Sequence, residues 1–189
     1  MIMGILLAAG ASRRMGSDKL GLPWRGSTVL GCTLAGWLSV PELDQILLVR
    51  RDDSPKIQMD RVRTLVNVDA DEGMGSSLRL AADSLPAEVQ AVVVGLGDMP
   101  EVDSQTISAL VEAWQSSGPA GIVAPVYNGQ RGHPVVLGPQ HFSALRELSG
   151  DQGARAILRE CPEDLRLVTV DDPGVLLDID TPADLEQQP

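Results

Sequence analysis

Apolar residues along this chain recur in two rhythms. Short unbroken runs at Ile2–Ala8, Gln45–Arg50, Thr64–Val68, Ala91–Gly95, Gly121–Val126, Val135–Gly138 and Leu165–Val170 predict strands covered on both faces. Between them, apolar positions three and four apart mark the buried faces of helices: Leu30, Leu34, Trp37 and Leu38; Leu78, Ala81, Ala82 and Leu85; Ile107, Leu110, Val111 and Trp114. Strand and helix alternate, which predicts an α/β fold, a Rossmann-like three-layer sandwich around a mostly parallel, mixed sheet. In such folds ligands gather at the carboxyl ends of the strands, and the loops of interest here all follow strands.

Composition narrows the reading. With 189 residues and 43% apolar content the chain can bury a full core, and it has no repeat, low-complexity tract or linker, so one domain over residues 1–189 is expected. Segment 52–56 and Pro162–Asp164 read as surface turns, and 187–189 as a frayed tail. A net charge of −11 argues against nucleic acid or an anionic membrane as partner. Cys32 and Cys161 stand alone in sequence, without a CxxC spacing or a neighbouring His, and read as buried structural thiols. With no secretory leader pattern and no bilayer-length apolar run, the expected setting is the cytoplasm.

The first predicted strand runs into Ala9-Gly10-Ala11-Ser12-Arg13-Arg14-Met15-Gly16-Ser17-Asp18-Lys19. Small side chains at Ala9, Gly10, Ala11 and Gly16 let backbone N–H groups approach a phosphate, and Arg14 and Lys19 supply countercharge. A turn of this kind can also be a mere connection, yet its clustered cations repel one another without an anion. A nucleoside triphosphate suits it. Neither GxxxxGK[ST] nor GxGxxG is present.

A second feature follows the Val-rich run: Val94-Gly95-Leu96-Gly97-Asp98-Met99-Pro100. Asp98 can serve as a turn or N-cap residue, or it can hold Mg²⁺ together with phosphate oxygens just beyond the sheet. Further on, Gly73 and Gly75 shape a turn in which Ser76 or Ser77 would cap a helix. Near the end, Asp178 and Asp180 lie two apart on an extended segment and so point to one side, while Thr181-Pro182 reads as a helix start.

The segment Leu7 to Lys19 resembles the LAAGxSxRMGxxK signature of the nucleotidyltransferases related to molybdenum cofactor guanylyl- and cytidylyltransferases, and the likeness extends over the whole chain. It implies a fold of the nucleotide-diphospho-sugar transferase type. It also implies nucleotide contacts from Leu7, Ala8, Ala9, Gly10, Ala11, Ser12, Arg14, Met15, Gly16 and Lys19, with Arg14 and Lys19 on the β- and γ-phosphates. Gly97-Asp98-Met99-Pro100 resembles the family's metal-binding turn and adds Gly97 to the nucleotide site. The closing Asp178-Ile179-Asp180-Thr181-Pro182 resembles a segment whose residue before Thr-Pro faces the metal, which gives Asp98 and Asp180 as Mg²⁺ (or Mn²⁺) ligands, with Asp178 a partner or the ligand itself. Glu72-Gly73-Met74 through Ser77 resembles a stretch that packs on the base, nominating Gly73, Met74 and Ser77.

In the same family a Leu-Ala-Ala-Gly opening accompanies cytidylyl transfer. Leu7-Ala8-Ala9-Gly10 therefore implies CTP as donor, and a methyl at Ala9 crowding a purine is worth roughly 1–3 kcal/mol of discrimination. The segments containing His133, Pro134, Gly150, Asp151, Gly153 and Arg155 resemble those lining the pocket of a phosphorylated pterin, so molybdopterin is the implied acceptor. His133 and Arg155 can hydrogen-bond a phosphate, or equally be a turn residue and a solvated helix charge. The activity implied is Mg²⁺-dependent CMP transfer with release of pyrophosphate. Guanylyl or other nucleotidyl transfer to a different phosphorylated molecule, or non-catalytic delivery of cofactor to an apo molybdenum hydroxylase, are the alternatives.

Overall fold

The computed structural model describes residues 1–10, 19–51, 57–118, 121–181 and 184–185. A mixed sheet forms the middle layer. Its strands are β1 (Ile2–Ala8), β4 (Gln45–Arg50), β5 (Val62–Val66), β6 (Ala91–Leu96), β7 (Ile122–Tyr127), β8 (Gln130–Arg131), β9 (Val135–Leu137) and β10 (Leu165–Thr169), while β2 (Pro23–Trp24) and β3 (Ser27–Thr28) make a separate small hairpin. The order is β10-β7-β9-β6-β1-β4-β5, with β8 on β7. Pairings β6–β1, β1–β4, β4–β5 and β7–β10 are parallel, and β9 runs antiparallel between β6 and β7.

Strand alternation divides β1 between two cores. Met3, Ile5 and Leu7 face the layer of α2 (Met74–Asp83), α4 (Phe142–Glu147) and α5 (Arg155–Glu160), where Leu78, Ala81, Leu145 and Ile157 pack. Ile2, Leu6 and Ala8 face the layer of α1 (Val29–Leu38) and α3 (Ser104–Ser117), against Leu30, Leu34, Ile107 and Leu110. Trp37 lies so close under the sheet that a Cβ on Gly95 would sit 2.4 Å from its ring. The three-layer α/β/α sandwich expected from the periodicity is the observed fold.

Some boundaries differ. The third strand is Val62–Val66, not 64–68, because its register is set by β4 (Ile46 to Val62, Arg50 to Val66) and Val68 is already exposed. Leu85 lies past the end of α2, whose C-cap is Ser84. The cap of α2 is Gly73 at φ 106°, without a side-chain hydrogen bond, rather than Ser76 or Ser77. Only glycine suits that position: the backbone is left-handed, and a Cβ would meet the Gly150 carbonyl oxygen at 2.4 Å. Ser76 and Ser77 instead point inward, and both hydroxyls accept hydrogen bonds from the buried Asn67 amide at 2.9 Å.

The thiols also differ from expectation. Both are partly, not fully, buried. The fold brings His141 and Asp164 to Cys161, with their ligand-type atoms within 4.8 Å of one another, a proximity that sequence spacing hides. Burial and the nearby Glu163, Asp164 and Glu160 push the Cys161 thiol up, so it stays protonated near neutral pH.

Candidate active site

The turn after β6 and the segment after β10 are stitched together by backbone. Ile179 N–H donates to the Asp98 carbonyl at 2.9 Å, and Ile179 itself is buried. One residue further, the Asp184 carboxylate accepts from the N–H groups of Asp180 and Thr181 at 3.0 and 2.7 Å and from the Thr181 hydroxyl. The helix start expected at Thr181-Pro182 runs outside the described residues at Pro182; the donors on Asp184 hold its carboxyl below its usual pKa. Together these bonds fix the direction in which Asp180 enters the site.

The result is a cluster of Asp98, Asp178 and Asp180, with a carboxylate oxygen from each within 4.8 Å of the others. Lys19 lies among them, 2.5 Å from Asp98 Oδ2 and 2.6 Å from Asp180 Oδ1. Burial works against the ammonium charge, but hydrogen bonds and attraction from Asp180 and Asp98 outweigh it, so the Lys19 pKa is raised. The Asp178 carboxyl is pushed up by burial and by the charges of Asp180 and Asp98. Asp98 Oδ1 is buried and has no partner among the described residues. α3 is capped by Asp103, whose carboxylate accepts from Gln105 N–H, so Asp98 is not consumed as a helix cap.

An oxygen-only donor set with a deficit of positive charge and an orphaned buried oxygen fits a hard divalent cation. The Lys19 ammonium shows that the site already attracts a cation.

Beside the carboxylates opens a cavity of about 560 Å³ lined by Leu7, Ala8, Ala9, Gly10, Lys19, Gly73, Met74, Ser77, Asp98 and Asp180, all nominated from sequence, and by Arg51 and Asp71, which were not. Arg51 donates to the Ala9 carbonyl at 2.8 Å and to Asp71 at 2.9 Å, anchoring the end of β1. An isolated Arg after a strand carries no sequence signal for such a brace. Ala11, Ser12, Arg14, Met15 and Gly16 lie outside the described residues.

A second cavity of about 600 Å³ shares Leu7, Met74, Leu96, Asp151 and Asp178 with the first and adds His133, Gly153, Arg155 and Arg159. The two chambers are thus contiguous, with Asp178 on their common wall. Gly97, Pro134 and Gly150 line neither. The Gly97 N–H donates to the Leu7 carbonyl, and the Gly150 carbonyl accepts from Gly75 N–H at 2.8 Å, so both support the walls from behind.

His133 has its Nδ1 buried with no partner among the described residues. Burial, then the charges of Arg155 and Arg131, lower its pKa from 6.5 to about 4. It is neutral at physiological pH, so it can offer a hydrogen bond but not a charge to the cavity it lines. The unfolded chain takes up this proton first on acidification, so native stability falls as pH drops from about 6.5 toward about 4, by up to about 3 kcal/mol. His133→Gln is expected to flatten that part of the stability profile, measured by urea unfolding at stepped pH; an unchanged slope would mean that His133 protonates freely in the native state.

A mostly parallel, mixed sheet thus carries an acidic cluster and a two-chambered cleft where its strands end, the place where open α/β sheets bind their ligands. The chain belongs to the MobA-like NTP transferase family, whose domain matches residues 4–166. It is 30% identical to "Purine catabolism protein PucB" of Bacillus subtilis (98% of this chain, 94% of that one) and 31% identical to "Nicotine blue oxidoreductase" of Paenarthrobacter nicotinovorans (95% and 92%). It is 27% identical to "Molybdenum cofactor cytidylyltransferase" of Escherichia coli (95% and 91%). Among solved structures, Rv0371c of Mycobacterium tuberculosis superposes with a TM-score of 0.85 at 29% identity (98% of this chain, 96% of that one), and the same protein has been solved in complex with manganese. Among the described residues of this chain no helix is long and apolar enough to cross a membrane.

Proposed function

We propose that this protein transfers CMP from CTP to the phosphate of a molybdopterin-type acceptor and releases pyrophosphate. The observation that carries the reading is the convergence of Asp98, Asp178 and Asp180 on the wall of two contiguous chambers, one beside the end of β1 and one bearing Arg155 and Arg159. Similarity to the Escherichia coli cytidylyltransferase supports the choice of acceptor.

In this reading CTP occupies the first chamber, its base against Gly73, Met74 and Ser77 and its phosphates toward Lys19 and Arg14. The acceptor occupies the second, its phosphate drawn by Arg155 and its polar edge met by neutral His133. An acceptor phosphate oxygen attacks the α-phosphorus in line, the bond to the β-phosphate oxygen breaks, and pyrophosphate leaves. No general base is needed, because a phosphomonoester with a second pKa of about 6 is already largely dianionic. Mg²⁺ or Mn²⁺ held by Asp98 and Asp180 would neutralise charge on the α-phosphate and on the departing oxygens. The protein's own part is to align the two phosphates and balance their charge, with Lys19 and Arg14 on the leaving group.

Ala9 is buried and lines the first chamber. Ala9→Gly is expected to move the CTP-to-GTP preference toward GTP by about 10-fold, read from kcat/KM for each nucleotide. An unaltered ratio would place base selection elsewhere.

The direct test is incubation with each nucleoside triphosphate, Mg²⁺ and molybdopterin, followed by mass analysis. A product heavier by one CMP, formed from CTP in preference to the others, is the expected result. Transfer from another nucleotide or to another phosphorylated acceptor would revise the specificity. No metal-dependent product at all would favour cofactor delivery, and a bound flavin or nicotinamide spectrum would favour the redox activity named for the Paenarthrobacter relative.

A further inference from the structure

Lys19 is tied to both carboxylates that the nucleotidyl-transfer reading assigns to a divalent cation, and its ammonium sits in the place that cation would need. Its side chain is only 12% exposed, that of Asp98 17% and that of Asp180 35%, so the three charges meet largely out of water. Two cations cannot share those oxygens: at a few ångströms in a partly buried site their repulsion is severe. A divalent ion entering alone would therefore have to break two short charge-assisted hydrogen bonds and would bring no phosphate to replace them.

A nucleotide changes that balance. Lys19 also lines the first chamber, on a flexible four-carbon stem, so its ammonium can exchange a carboxylate partner for a phosphate without backbone movement. Lys19 satisfies only Oδ2 of Asp98, and the buried Oδ1 stays without a partner among the described residues, which leaves the ammonium an incomplete occupant of the site.

We infer that Lys19 occupies the cation position between Asp98 and Asp180 until a triphosphate draws it away, so that divalent-cation binding and nucleotide binding are coupled in this protein. The inference rests on the proposed nucleotidyl transfer for the identity of the two ligands, and it concerns the order and linkage of their binding. Linkage is reciprocal: whatever factor the nucleotide adds to metal affinity, the metal adds to nucleotide affinity.

The test is Mn²⁺ binding, followed by loss of the free-ion electron paramagnetic resonance signal, with and without the non-transferable analogue α,β-methylene CTP. Wild-type protein is expected to bind Mn²⁺ at least tenfold more tightly with the analogue than without it, counting only the ion bound beyond what the same analogue takes up without protein. Lys19→Met, which keeps most of the unbranched stem and removes the charge, is expected to bind Mn²⁺ alone at least tenfold more tightly than wild type, so that the analogue adds less to metal affinity than it does in wild type. Lys19→Gln serves the same purpose if the Met variant does not fold, and Asp98→Ala added to either should abolish the gain. Metal affinity that is unchanged or weaker in the Lys19 variants would overturn the inference, as would wild-type binding indifferent to the analogue. If the variants gain affinity while wild-type protein transfers no nucleotide to any acceptor, the inference stands and the proposed function falls; transfer without the affinity gain is the reverse.

Discussion

Asp98→Ala is expected to lower kcat for nucleotidyl transfer by about 10³-fold or more, because it removes one of two carboxylates that would place a divalent charge against the reacting phosphate. The same variant should keep its fold. Asp98 contributes no side-chain cap, and its backbone bond to Ile179 survives the substitution. Its carboxylate is crowded by Asp178 and Asp180, so deletion relieves repulsion while removing one Lys19 contact. The two effects oppose each other, and a shift in thermal midpoint of no more than about 4 °C is expected, on the order of 1 kcal/mol for a chain of this size. Turnover and circular dichroism melting on one preparation check both parts. Retained CMP transfer in Asp98→Ala would remove the carboxylate from the reaction.

The second large effect separates Asp180 from Asp178. Asp180 faces Lys19 at 2.6 Å and has its backbone pinned by Asp184, whereas Asp178 is largely exposed, lies on the wall between the chambers and has its pKa raised by partial desolvation there and by the charge of Asp180. That asymmetry supports the proposed assignment of Asp180 as the direct ligand, with Asp178 a source of negative charge behind it. Asp180→Ala should cost about 10²- to 10³-fold in kcat, and Asp178→Ala about 10-fold, chiefly as a higher metal concentration for half-maximal rate. Metal titrations of the steady-state rate would show it, and the opposite ranking would exchange the two roles.

Much of this architecture was legible in the chain. Unbroken Val/Ile/Leu runs located the β1, β4 and β6 strands because both faces of those strands are buried, and helical spacing found the faces of α1, α2 and α3. The short helices α4 and α5, six residues each, are too brief to declare a period, and their burial comes from packing on the sheet. The antiparallel course of β9 leaves no local trace, since a buried strand reads the same in either direction. Val66 and Val68 look alike in sequence, yet only Val66 has a pairing partner in β4.

At the site, motif residues whose value lies in side-chain chemistry came together: Lys19, Asp98, Asp178 and Asp180 in one cluster, His133 and Arg155 in the second chamber. Residues whose part is to support the wall, such as Gly97 and Gly150, were nominated with them because a motif does not distinguish a contact from its support. Arg51 and Asn67 went unseen for the converse reason. Each acts through one tertiary hydrogen-bond network, the Ala9 carbonyl and Asp71 in one case and the Ser76 and Ser77 hydroxyls in the other. The Lys19 bridge was also hidden, since its two partners lie 79 and 161 residues away.

The central claim is that these carboxylates hold a divalent ion against a polyphosphate. The measurement that meets it most directly is a crystal structure with Mn²⁺ and α,β-methylene CTP, using anomalous scattering to locate the ion. The account predicts manganese between Asp98 and Asp180 in contact with the α-phosphate, and the Lys19 ammonium moved onto the outer phosphates. Manganese found elsewhere, or Lys19 still bridging the two aspartates beside a bound nucleotide, would contradict it.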